Sequence, residues 1–162
     1  MEEMMFDPEI QKRLDDEWRR VSLVWAGLLC SLGIYLLVGY FIHSQMEFRE
    51  RELPYEVIRN ILFLIAAAQF LGIFVLRKSL LQMFSKNNGP TRIPAYKKIS
   101  QYKIAVILSG ALSEGIVVYG FILLILFRDL QNFYILTGIS AFGLILHRPK
   151  KEEMERIIPT SE

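Results

Sequence analysis

Glu114 is the residue whose chemistry most needs an explanation. Four apolar stretches run along the 162-residue chain: Val21–Met46, Asn60–Leu76, Ile104–Phe127 and Leu130–His147. Glu114 is the single Asp, Glu, Lys or Arg within them, near the middle of the third. An ionised side chain at the centre of a membrane-crossing helix costs roughly 3 kcal/mol on insertion scales. Burial disfavours its charged form, so the carboxyl must face a neighbouring helix, a cavity or a partner protein. Two kinds of chemistry follow. A hydrogen-bonded carboxyl fixes helix packing or subunit assembly; alternatively, it binds and releases a proton or cation. Tyr119, five positions on, can donate to the carboxyl, and Gln69 in the second stretch is a reasonable partner, because it and Glu114 both fall near mid-membrane. Ala105, Ser109 and Ser113 recur every four residues, Ala111 and Gly115 form a second such pair, and Ala66-Ala67-Ala68 precedes Gln69. Small residues at this spacing let helices approach closely and let hydroxyls bond across the contact.

Other chemistry is poorly provided for. His43 and His147 fall near opposite membrane faces, so they cannot jointly hold a haem or metal without a partner subunit. The one cysteine, Cys30, lies inside the first stretch and is expected to be a buried, inert thiol. No phosphate-binding glycine loop, dinucleotide fingerprint, zinc signature or nucleophile elbow occurs. The polar segments are too short to fold a catalytic domain. The expectation is therefore no enzyme, no catalytic residues, no metal, no cofactor and no nucleic-acid partner.

The stretch Gly110-Ala111-Leu112-Ser113-Glu114-Gly115-Ile116-Val117-Val118-Tyr119-Gly120-Phe121 resembles the carboxylate-bearing helix of the c-type proteolipid subunits of rotary ATP synthases. That resemblance implies that Glu114 is the ion-binding residue, with Ser113 and Tyr119 as supporting ligands. It covers about a dozen residues. The family's closely spaced glycine helix has no counterpart, since Gly27, Gly33 and Gly39 are six apart.

The elements that must position Glu114 follow from length. A hydrocarbon core of about 30 Å needs roughly 20 apolar residues in a helix, and backbone groups in lipid must be satisfied internally, which selects helices. The expected fold is all-α: an integral membrane four-helix bundle of two transmembrane hairpins, with spans near 21–43, 57–76, 104–127 and 130–147. Arg128-Asp129 is the tight connection of the second hairpin. Fifteen of the nineteen Lys and Arg residues fall in the N-terminal segment, the 77–103 loop and the C-terminal tail. The positive-inside rule then puts both termini in the cytoplasm.

Three polar segments complete the reading. Residues 1–20 form a cytoplasmic N-terminal segment; within it Ile10, Leu14 and Trp18 share one helical face from Pro8 on. This helix either lies on the membrane or continues into the first span. The 77–103 loop carries Arg77, Lys78, Lys86, Arg92, Lys97, Lys98 and Lys103 and no acid. Such a loop is attracted to the anionic inner leaflet, or binds an acidic protein partner. Residues 148–162 read as a polar cytoplasmic tail. Taken together, the expectation is a small, non-enzymatic subunit or assembly partner of a membrane complex, with a protein partner or a second copy of itself. Proton or cation translocation at Glu114 is the alternative, and compactness points to a bacterial inner membrane.

Overall fold

The computed structural model describes residues 8–45, 53–86 and 95–157, and every regular element in them is helical. The helices are α1 (Pro8–Gln45), α2 (Tyr55–Lys86), α3 (Ala95–Phe127), α4 (Leu130–Leu146) and α5 (Lys151–Ile157). Three of them, α1, α2 and α3, are long and apolar enough to cross a membrane, while α4 is a shorter apolar helix. At 1.5 Å per residue, α4 is about 26 Å long and α1 about 57 Å. The longer helices therefore exceed any single hydrocarbon crossing.

That excess is the main difference from the boundaries expected above. Apolarity marks the part of a helix that lipid can accept, not where hydrogen bonding stops. The apolar face of Leu14 and Trp18 belongs to a helix that continues unbroken into the first span, and Leu14 is buried against protein. The basic segment after residue 77 is largely helical: α2 runs on to Lys86 and α3 begins at Ala95. The C-terminal segment is not an extended tail either. Lys151–Ile157 forms α5, and Met154 is 1% exposed.

Helix α3 is the hub, packing against α4, α2 and α1 on different faces. Toward α4 it presents Gly120, where a Cβ would lie 3.1 Å from the Phe133 Cα and 3.2 Å from its carbonyl oxygen. A side chain there would press on backbone that has little room to give. Toward α1 it presents Gly110, which receives Leu28. Toward α2 it presents Gly115, which lies against Gln69. The α3–α4 turn uses Arg128 at φ 58°, a left-handed conformation that L residues adopt at a cost. Asp129 then caps α4 by accepting from the Asn132 N–H at 3.0 Å.

Three apolar clusters result. One joins Leu32, Val117, Leu124, Phe133 and Leu144; a second joins Ala66, Ile116, Leu123 and Leu136. The third joins Leu14, Val21, Ile99, Tyr102, Val106 and Met154 at the end that α5 closes. Outward, α1 and α2 carry broad apolar surfaces; Leu37 and Leu64 are each 72% exposed. Cys30 belongs to this outward surface. It is exposed, not buried as expected, because α1 turns a narrow face to α3 and α4 and leaves the rest of its circumference uncovered.

Candidate functional site

Of the four residues proposed to share one site, α3 turns Glu114, Ser113 and Tyr119 onto three different faces, and only Tyr119 meets Gln69, which is on α2. Glu114, half-buried, points toward α1, where the Ser31 hydroxyl donates to its carboxyl. The same hydroxyl lies 2.7 Å from the Leu28 carbonyl oxygen, one turn back on α1. Gln69 is not the partner of Glu114, as it is engaged elsewhere: its amide donates to the Leu112 carbonyl at 2.6 Å. Tyr119 donates to the Gln69 carbonyl oxygen at 2.5 Å. Ser113 faces α4; it donates to Ser109 O at 2.9 Å, and its own carbonyl accepts from Ser140 Oγ at 2.7 Å.

The reason is rotational. Successive helical residues are about 100° apart, so neighbours such as Ser113 and Glu114 cannot face one partner. Tyr119, five positions beyond Glu114, is displaced by about 140° around the helix for the same reason. Ser31 was not singled out by sequence. The signal that could have found it is depth: Ser31 lies ten residues into the first apolar stretch, as Glu114 lies ten into the third.

The basic residues of the 77–103 segment also separate. Arg77 is largely buried; it pairs with Glu153 at 2.7 Å and lies 3.0 Å from His147 Nδ1. Lys103 pairs with Glu17 on α1. Lys98 is buried and Lys78 exposed. The side chains of Lys86, Arg92 and Lys97 lie outside the described residues. Three of the seven therefore sit among protein groups, and Lys78 faces outward.

Around Arg77 a polar clasp forms. Tyr102 donates to the Lys150 carbonyl and accepts from the Lys150 N–H, both at 3.0 Å. Lys151 pairs with Asp15 at 2.6 Å. The Asp15 carboxylate holds the Lys151 ammonium above its ordinary range, against a smaller desolvation effect. His147 sits beside Arg77, and its ring meets Phe74 edge-on.

His43 is at the other end, where its carbonyl accepts from Arg128 at 3.1 Å. There the Asp129 carboxyl accepts from Tyr55 and from the Asn132 side chain. Desolvation pushes Asp129 up, but those hydrogen bonds and the Arg59 charge together bring it below the ordinary carboxylate range. Among the described residues, no three His, Cys, Asp or Glu side chains are grouped to hold a metal ion.

No protein-family model matches the chain, and comparison with curated proteins and with solved structures finds no match.

Proposed function

We propose that this chain is a non-enzymatic membrane subunit or assembly partner. It crosses the membrane four times as two hairpins, with both termini in the cytoplasm, and a bacterial inner membrane is the compartment that suits its compactness. One observation carries the reading: the polar side chains within the apolar helices tie neighbours to α3. Ser31 holds α1 through Glu114, Gln69 holds α2, and Ser140 holds α4. In this reading Glu114 is a packing group, and the exposed apolar surfaces of α1 and α2 are covered by lipid and by a partner helix. Lys78 contributes to attraction by the anionic inner leaflet.

The test is affinity purification of the full chain in mild detergent, paired with Glu114→Gln. The expected outcome is a co-purifying membrane protein whose retention, or the chain's own thermal stability, falls in the variant. A second reading, proton or cation handling at Glu114, draws on its half-buried carboxyl and on the proteolipid resemblance. Proton flux in liposomes bearing the parent chain, abolished by Glu114→Gln with assembly intact, would establish that reading and overturn the first.

A further inference from the structure

A cleft of about 410 Å³ opens between the start of α1 and the start of α3, away from Glu114 and from the Arg77 clasp. Its walls are Arg13, Asp16, Glu17 and Arg20 on α1 and Lys103 on α3, with buried Ile99 beneath. The volume falls in the range of small-ligand pockets. Its position is set by sequence: Arg20 immediately precedes the apolar stretch that begins at Val21, and Lys103 immediately precedes the one that begins at Ile104. Once those stretches are in a bilayer, the cleft lies at the level of the lipid headgroups.

Both signs of charge line it. Glu17 pairs with Lys103 and lies 3.7 Å from Arg20, which is otherwise open to solvent. Arg13 and Asp16 are both exposed on the same wall. Three cations can meet a phosphodiester, while Asp16 and Glu17 offer acceptors to an ammonium group. A headgroup with a phosphate and a primary amine matches this wall. A purely anionic headgroup would set its remaining oxygens against the two carboxylates.

Below the cleft the same faces continue into the membrane. On α1 the spacing carries Arg13, Glu17 and Arg20 on to Val24, Gly27 and Ser31; on α3 it carries Lys103 on to Ile107 and Glu114. Val24 and Ile107 are 43% and 38% exposed, and a Cβ at Gly27 would meet nothing within 4 Å. Uncovered apolar positions, here called the trough, thus lie between the cleft and the Ser31–Glu114 contact. From Lys103 to Glu114 the helix rises about 16 Å, close to half the 30 Å hydrocarbon core and so to one leaflet's acyl chain.

We propose that the α1–α3 cleft and trough bind one cytoplasmic-leaflet aminophospholipid. Its phosphate sits among Arg13, Arg20 and Lys103, its ammonium against Asp16, and one acyl chain in the trough. This rests on the proposed topology, with both termini cytoplasmic, and not on the assembly reading, so failure to find a partner protein leaves it standing.

The experiment is native mass spectrometry of the full chain in detergent with phosphatidylethanolamine, phosphatidylglycerol or phosphatidylcholine added at equal concentration. Phosphatidylethanolamine should be retained most. Arg13→Gln and Arg20→Gln should each lower retention about five-fold, the factor for one basic residue near a membrane surface. Asp16→Asn should remove the preference over phosphatidylglycerol while leaving phosphatidylglycerol binding intact or raised. These side chains are solvent-exposed, so thermal melting should match the parent. Arg148→Gln, an exposed charge just past α4 and outside the cleft lining, should change nothing. Equal retention of all three lipids, an equal loss on Arg148→Gln, or displacement by an equal concentration of soluble glycerophosphoethanolamine would each overturn the proposal.

Discussion

The middle of helix α3 and the region of its first turns are held by different chemistry. In its middle, the ties to neighbouring helices are hydroxyls and amides: Ser31 on Glu114, Gln69 on the Leu112 carbonyl, Ser140 on the Ser113 carbonyl. Around its first turns the ties are charge on charge: Glu17 of α1 holds Lys103 of α3, and among the helices beside it Asp15 pairs with Lys151 and Glu153 with Arg77. The difference follows the solvent. Where lipid surrounds a helix, ion pairs carry a large desolvation cost, and close packing through small residues does most of the holding. Where water reaches the surface, charges are inexpensive, each pair adds little, and a buried apolar centre must supply the stability. Met154 is that centre.

The strongest test of the packing half is Gly120. A side chain there collides with the Phe133 backbone, which cannot swing aside as a rotamer can. Gly120→Leu should therefore separate α3 from α4 and cost about 3 kcal/mol or more, at the upper end for overpacking a core. Gly138→Leu on α4, where a Cβ meets nothing within 4 Å, should be tolerated. Thermal unfolding in detergent distinguishes them. Equal losses in the two variants would mean that glycine content, not close approach, is what the hairpin requires.

At the charged end the corresponding test is Met154. Met154→Ala removes the side chain that joins α5 to Leu14, Ile99 and Tyr102, and should cost about 2–3 kcal/mol. Because α5 is a single short helix, the loss should appear as local release. Hydrogen exchange should rise in α5 and the first turns of α1 while mid-membrane segments of α3 stay protected. Lys151→Gln should move the same protection much less, since its pair with Asp15 is largely exposed.

The contrast also separates what could be read in the sequence from what could not. Long apolar stretches announce their helices because hydropathy adds along the chain, and Gly115 was among the small residues expected at a helix contact, whereas the closer approaches at Gly110 and Gly120 were not singled out. Which face of α3 each polar residue takes was not legible. A residue step is about 100°, so Glu114, Ser113 and Tyr119, close in sequence, reach three different neighbours. The partner of Glu114 depends on how α1 crosses α3, which no local pattern encodes. The clasp was hidden for another reason. Arg77 and Glu153 are 76 residues apart, and each looks like an ordinary solvated charge. Met154 is one apolar residue among charges, and only its burial identifies its role.

A smaller effect is expected at the α3–α4 turn, where charge stands close to the membrane-facing helices and both kinds of tie meet. Asp129 caps α4 and accepts from Tyr55 and Asn132. Asp129→Ala should cost about 1 kcal/mol, the usual value of an N-cap. Its carboxyl is held below the ordinary range when folded, so the unfolded chain binds its proton more readily. The contribution is then complete above the unfolded carboxylate value and fades as pH falls through the lower, folded value. Parent and Asp129→Ala should therefore differ most near neutrality and converge in acid.

The smallest effect belongs to the tie from which the functional question began. Ser31→Ala removes one interhelical hydroxyl, and such bonds in a membrane are worth about 0.6 kcal/mol on average. It should loosen α1 only slightly, because Leu28 in the Gly110 notch and Leu32 against Val117 remain. Glu114→Gln keeps a polar group in reach of the Ser31 hydroxyl, so the fall in the chain's own thermal stability should be of the same small size. If Ser31→Ala is instead as damaging as Gly120→Leu, a bare carboxyl in this groove is intolerable without its donor. The middle of α3 would then obey the electrostatics of its charged end.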